Sequence, residues 1–162
     1  MKTLLTSLLI CFVHLNANAK TLVGIVTYVG DGDTVWIEVD RNAKPLKLRL
    51  QGLDAPEICQ TWGVQARDAL KAKLLKQTVS IDTKARDDYA RAVGRIELRG
   101  EDIGAWLVNN GHAWSYAYQR RVAPYAQELA AAQNARRGLW ADANAQEPRA
   151  FRKVNGLCKR GK

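Results

Sequence analysis

Hydrophobic periodicity in this chain switches from two residues to about 3.6 and back again, and that alternation restricts the fold more than any single motif. Over 46–50 the apolar residues are Leu46, Leu48 and Leu50, while Lys47, Arg49 and Gln51 take the other phase. The pattern suits a strand with one wet face and puts Arg49 on that face. Ahead of it, 21–29 and 33–39 are rich in Val, Ile, Thr and aromatics, with the turn signal Gly30-Asp31-Gly32 between them, so the chain opens on a hairpin. From 63 to 75, Ala66, Ala69, Leu70 and Leu74 recur at helical spacing with lysines opposite. Strands follow at 78–83 and at 91–99, where Ala92, Gly94, Ile96 and Leu98 share one phase and Arg91 and Arg95 the other. A short helix at 103–110 turns Trp106 and Leu107 inward and stops at Gly111. A last helix at 124–137 has Pro124 in its first turn and ends at Gly138, after which Leu139 and Trp140 return to the core. Three strands, a helix, two strands and two helices make an α+β chain with a strand-rich first half, which fits a small closed or nearly closed barrel. Past 140 periodicity is lost and Lys and Arg accumulate, so 141–162 reads as a basic tail without regular structure.

The first nineteen residues carry one charge, Lys2, then an apolar run from Leu4 to Leu15 and the small-residue pattern Ala17-Asn18-Ala19. Residues 1–19 read as a secretory signal peptide. The run of about twelve apolar residues is too short for a membrane span, which takes roughly twenty. Ile10 before Cys11 argues against lipid attachment, so the expected mature chain starts near Lys20 with no membrane anchor. An exported protein is expected, periplasmic or secreted. The remaining length, about 143 residues, suits one core, assigned to 20–140. The formal net charge of +9, or +8 without Lys2, favours a polyanionic partner. Charge alone does not separate nucleic acid from an anionic surface.

Cys11 leaves with the signal, and Cys59 and Cys158 remain in an oxidising compartment. A Cys59–Cys158 disulfide is expected, closing a loop of about a hundred residues and tying the tail to the loop after Glu57. Two free thiols are the alternative.

Two acidic clusters flank the strands: Asp31-Gly32-Asp33-Thr34 at the hairpin turn and Asp54-Ala55-Pro56-Glu57 just after the arginine-bearing strand. Either one alone reads as ordinary turn chemistry. Together, hard oxygens at strand ends suit Ca²⁺ or Mg²⁺, whereas His112 and two bridged cysteines are a poor kit for zinc. Phosphodiester hydrolysis needs an activated water, a cation on the phosphate and donors for the charge that builds there. Glu57 can accept a proton from water, Asp33 and Asp54 can hold a metal, and Arg49 and Arg91 can fork phosphate oxygens.

The segments Asp31-Gly32-Asp33-Thr34-Val35, Leu48-Arg49-Leu50 continuing to Asp54-Ala55-Pro56-Glu57, and Asp87-Asp88-Tyr89-Ala90-Arg91 resemble the hallmarks of the staphylococcal nuclease (thermonuclease) family. The resemblance runs from about Thr27 to Trp140, with matching spacing from Arg49 to Asp54 and on to Glu57. It implies an OB-fold type five-stranded β-barrel with three α-helices. It also implies a monomeric Ca²⁺-dependent endonuclease that hydrolyses DNA and RNA with little sugar specificity and leaves 3′-phosphate ends. By this resemblance Asp33, Asp54 and the backbone carbonyl of Ala55 bind the metal, and Glu57 is the general base. Arg49 and Arg91 stabilise the transition state, Arg91 also being proposed to assist the leaving group, and Asp31 is an outer-shell carboxylate. Tyr89, Tyr116 and Tyr118 resemble tyrosines that meet the nucleotide, as aromatic faces suit unstacked bases, although packing stays open for at least one of them. Three positions depart from the staphylococcal enzyme: Ala55 stands for threonine, Asp88 for a lysine near the substrate phosphate, and Ala90 for a glycine.

A second functional class is a catalytically weak oligonucleotide-binding module built on the same groove. The filled set Asp33, Arg49, Asp54, Glu57 and Arg91 favours the enzyme. Arg95, His112 and the pair Arg136-Arg137 have ordinary readings as a solvated strand arginine, a packing histidine and a helix C-terminus.

Overall fold

The computed structural model describes residues 21–117 and 122–158; residues 1–19, where a signal peptide is expected, and Tyr118 lie outside them. Strands β1 (Leu22–Val29), β2 (Thr34–Glu38) and β3 (Leu46–Leu50) form an antiparallel meander. A short β4 (Leu53–Asp54), helix α1 (Gly63–Leu74), β5 (Thr78–Arg86) and β6 (Ala92–Leu98) follow. Then come β7 (Glu101–Asp102), α2 (Ile103–Asn109), β8 (Trp114–Ser115), α3 (Ala126–Asn134), a 3-10 turn at Gly138–Ala141 and α4 (Pro148–Asn155).

β1 pairs with both β2 and β5, β5 pairs with β6, and β6 returns parallel to β3. Five strands therefore close into a barrel, an α+β architecture of the expected OB-fold type. One phase of each strand fills it. Val26, Val35, Ile37, Leu48, Ile81 and Ile96 have no exposure, and Leu70, Leu74, Leu107 and Val108 from α1 and α2 join the same cluster. Each such side chain contributes about 1.5–3 kcal/mol relative to the exposed state, so the barrel is held mainly by this alternation.

The alternation slips twice. A bulge between Val26 and Tyr28 lets Val26 and Val29, three residues apart, both face inward. A second slip between Thr83 and Ala85 carries β5 on to Arg86, beyond the expected end at 83. Ala126 rather than Pro124 begins α3, and Pro124 instead lies against Gly52, whose φ of +80 only glycine adopts freely. Leu107 is buried, whereas Trp106 is half-buried under the Lys73 ammonium, 4.9 Å from its ring.

The largest departure is α4, a fourth helix inside the segment expected to lack structure. It begins at a proline and ends at Gly156, and its apolar residues Ala150, Phe151 and Val154 recur at helical spacing over only two turns, with Pro148 alone fully buried. Cys59 and Cys158 are disulfide-bonded with Cα atoms 5.8 Å apart, which removes the free-thiol alternative. No helix among the described residues is long and apolar enough to cross a membrane.

His112 joins α1 to α2. Trp62 Nε1 donates to His112 Nδ1 at 3.3 Å, and the imidazole lies between Trp62 and Trp106. Indole only donates, so Nδ1 is bare, and burial lowers the imidazole pKa. The unfolded chain therefore takes up this proton first. The stability given by neutral His112 is complete above the ordinary value of 6.5 and is lost as pH falls through it. Denaturant unfolding from about pH 7 to pH 5 is expected to show a steeper loss in the wild type than in His112→Phe, by up to about one proton. Equal slopes would place the pH dependence elsewhere.

Candidate active site

Five segments line one cavity of about 370 Å³: the β1–β2 turn with Asp31 and Asp33, β3 with Lys47 and Arg49, the exit of β4 from Asp54 to Glu57, the turn before β6 with Tyr89 and Arg91, and the C-terminal segment with Arg152 and Leu157. Sheet register places the first three. Thr34 lies opposite Arg49 across β2 and β3, and the Leu50 N–H donates to the Asp33 carbonyl at 2.8 Å. Parallel closure of β3 on β6 sets Leu48 beside Ala92, so Arg91 arrives next to the same end of β3.

A continuous polar network results. Arg49 Nη2 donates to Asp33 Oδ2 at 3.0 Å and to Asp54 Oδ1 at 2.8 Å. Thr34 Oγ1 donates to Asp33 Oδ1 at 2.8 Å and accepts from Arg91 Nη1 at 3.3 Å. Asp87 shapes the turn that carries Arg91. Its Oδ1 accepts the Tyr89 and Arg91 N–H groups and its Oδ2 accepts Arg91 Nε at 2.7 Å. Within that turn Ala90 holds φ +58, the left-handed conformation glycine would take at less cost.

Asp33 and Asp54 are only 7% and 4% exposed, so their charges require compensation on the spot. Burial raises the Asp33 pKa, but the Arg49 guanidinium and the Thr34 hydroxyl outweigh it and hold the carboxyl below its ordinary range. Asp31 behaves in the opposite way, since burial and the Asp33 charge push it up to about 7. One carboxylate of the turn is thus held ionised while its neighbour shares the proton load.

Glu57 sits on a loop pinned from below. Gln60 Oε1 accepts the Glu57 N–H at 3.2 Å, and Gly63 opens α1 directly beneath, where an added Cβ would meet the Glu57 carbonyl oxygen. Glycine lets the helix approach the loop this closely.

The donor chemistry fits a hard divalent cation. The buried carboxylates of Asp33 and Asp54 converge on a single nitrogen, and Ala55 lines the same cavity. All the oxygens on offer come from carboxylates and backbone, which suits Ca²⁺ or Mg²⁺. Among the described residues no group of three His, Cys, Asp or Glu side chains forms a metal site, so such an ion would complete its shell with the backbone, water or phosphate.

Of the aromatic positions, Tyr89 is 69% exposed at the cavity mouth, with the Arg91 guanidinium carbon 5.3 Å from its ring centre. Tyr116 is half-buried, donates its N–H to the Gly52 carbonyl and does not line the cavity. Arg95 is exposed on β6, away from the cluster.

The profile of the staphylococcal nuclease homologue family matches residues 47–142. The chain belongs to the staphylococcal nuclease family. It is 34% identical to the micrococcal nuclease of Shigella flexneri over 146 residues, covering 82% of this chain and 81% of that protein. Protein ParB of Escherichia coli is 35% identical over 141 residues, covering 80% and 78%. An endonuclease of Haemophilus influenzae, otherwise uncharacterised, is 34% identical over 154 residues, covering 94% and 85%.

One charged residue of the site lies outside both the family profile and the sequence expectations. Arg152 on α4 donates from Nη2 to Asp54 Oδ2 at 2.8 Å, and from Nη1 to Asp54 Oδ1 at 3.1 Å and Glu57 Oε1 at 3.0 Å. These bonds to Asp54 and Glu57 raise its pKa further, so it stays charged. Pro148, Gly156 and the Cys59–Cys158 tie were the signals that could have found it in this staphylococcal nuclease relative.

Gly63→Ala is expected to destabilise the protein by about 1–3 kcal/mol in urea unfolding, because helix and loop must separate. An unchanged midpoint would show that the Glu57 loop yields freely.

Proposed function

We propose that this protein is a Ca²⁺-dependent endonuclease that hydrolyses phosphodiester bonds of DNA and RNA and leaves 3′-phosphate ends. The single observation that carries the proposal is the convergence of buried Asp33 and Asp54 on Arg49, with Glu57 and Arg91 lining the same cavity. Family membership supports a nuclease. The choice of calcium, the breadth over both sugars and the product ends rest on the resemblance of the site motifs.

In this reading Asp33, Asp54 and the Ala55 carbonyl hold the ion, which when bound supplies Lewis-acid polarisation of the phosphate. Glu57 takes a proton from water as that water attacks phosphorus. Arg49 and Arg91 meet the phosphate oxygens as charge builds on them. The bond to the 5′ oxygen breaks, that oxygen takes up a proton, and the phosphate stays on the 3′ side. Asp31, at the back of the turn, orders Asp33 by accepting its N–H at 3.1 Å. Tyr89 offers a face to an unstacked base, so single strands and frayed duplex are the preferred substrates. Export through the 1–19 segment to periplasm or medium, and action as a monomer, belong to the same proposal.

Digestion of single-stranded DNA, duplex DNA and RNA in calcium, in magnesium and in excess chelator tests it. Cleavage with calcium, abolished by chelator and leaving 3′-phosphates, is expected. Glu57→Gln and Arg49→Ala are each expected to lose about 10²–10⁴-fold in turnover while oligonucleotide binding persists. Binding without cleavage in every condition would instead favour the oligonucleotide-binding module.

A further inference from the structure

Resting on the nuclease reading, the geometry points to Arg152 as a positioning residue of the active site, delivered by the disulfide-anchored helix α4, that sets the Glu57 carboxylate relative to Asp54. Arg152 forks both oxygens of Asp54 and shares Nη1 with Glu57. Among the described residues it makes the one hydrogen bond that the Glu57 side chain receives, so no other described side chain orients that carboxylate. A planar guanidinium fixes the angle between two carboxylates, which a point charge does not.

The segment bearing Arg152 is not loosely laid on the surface. Cys158, six residues beyond it, is bonded to Cys59, and the Cys59 N–H donates to Cys158 Sγ at 3.1 Å. Gln60 Nε2 donates to the Gln146 carbonyl at 2.7 Å while Gln60 Oε1 holds the Glu57 backbone. The Glu57 loop is therefore joined to the C-terminal segment at three places: Arg152, Gln60 and Cys59. All of them use residues beyond 142, where the family profile ends.

Charge makes the role necessary. Asp31, Asp33, Asp54 and Glu57 face the cavity, and Lys47, Arg49, Arg91 and Arg152 face them. Without Arg152 the Glu57 carboxylate is left to swing on its loop next to buried Asp54. A reacting group misplaced in that way loses turnover before it loses substrate binding.

The test measures kcat and KM on single-stranded DNA for wild type, Arg152→Ala, Arg152→Lys and the double variant Cys59→Ser with Cys158→Ser, alongside calcium binding by calorimetry and thermal melting. Arg152→Ala is expected to lower kcat per calcium-binding chain by about 10–100-fold, as loss of an orienting partner typically does, with KM changed by less than about threefold. Calcium affinity is expected to stay equal or tighten, since a competing cation is gone. Arg152→Lys recovers part of kcat by reaching one carboxylate, and the double serine variant falls in the same direction as Arg152→Ala. These last two decide the matter if Arg152→Ala does not fold. A merely structural role would lower the melting temperature and the folded fraction but leave kcat per calcium site untouched, and that result overturns the inference. So does a loss carried entirely by KM, which makes Arg152 a phosphate contact, or a gain in turnover, which makes α4 an inhibitory strap. Wild-type protein that cuts nothing in any metal overturns the nuclease reading and this role together, whereas wild-type cleavage with unchanged Arg152→Ala kcat overturns this role alone.

Discussion

Two carboxylates with almost no exposure, Asp33 and Asp54, face one guanidinium, and the surrounding structure follows from the need to balance their charge and hold them fixed. A buried charge without a partner costs several kcal/mol, so Asp33 depends on Arg49, and Asp54 on Arg49 and Arg152 together. The barrel supplies the geometry. Asp33 ends the first turn, Arg49 stands across from Thr34 on β3, and Asp54 follows within five residues where the strand has left the sheet. The hydrophobic core is what holds these three backbone positions in register, because the other phase of the same strands is fully buried inside it.

The site is also more mixed in charge than a phosphate cradle alone requires. Arg152 forks both oxygens of Asp54 while Arg49 shares Oδ1 with it, and Arg91 is tethered by Asp87 on one side and Thr34 on the other. The carboxylates of this network are paired inside the protein, and each guanidinium has a donor geometry that suits phosphate oxygens equally well.

Arg49 was legible because a five-residue alternation assigns it to the polar face whatever the fold; the core positions Leu48 and Ile96 were legible for the same reason, and Leu107 from the short helix that carries it. Asp33 and Asp54 could be read as turn acids, but their convergence depends on strand pairing between distant segments, and only the resemblance to a family carried that information. The bulges at Thr27 and Lys84 were hidden because one extra residue in a strand leaves no mark in composition. Helix α4 was hidden because it is fixed by a disulfide and by charged contacts rather than by an apolar stripe, and Arg152 was hidden with it. Tyr116 lies outside the cavity lining, its N–H paired with the Gly52 carbonyl.

The central claim is that Asp33 and Asp54 form one oxygen site for a hard divalent cation. Calorimetric titration of calcium into the wild type and into Asp54→Asn tests it most directly, with melting curves to show that both are folded. One ion per wild-type chain is expected, with affinity lowered by at least about tenfold in the variant because a hard-cation site is tuned by its ligand charge. Equal binding in the two proteins, or none in the wild type, would contradict the account.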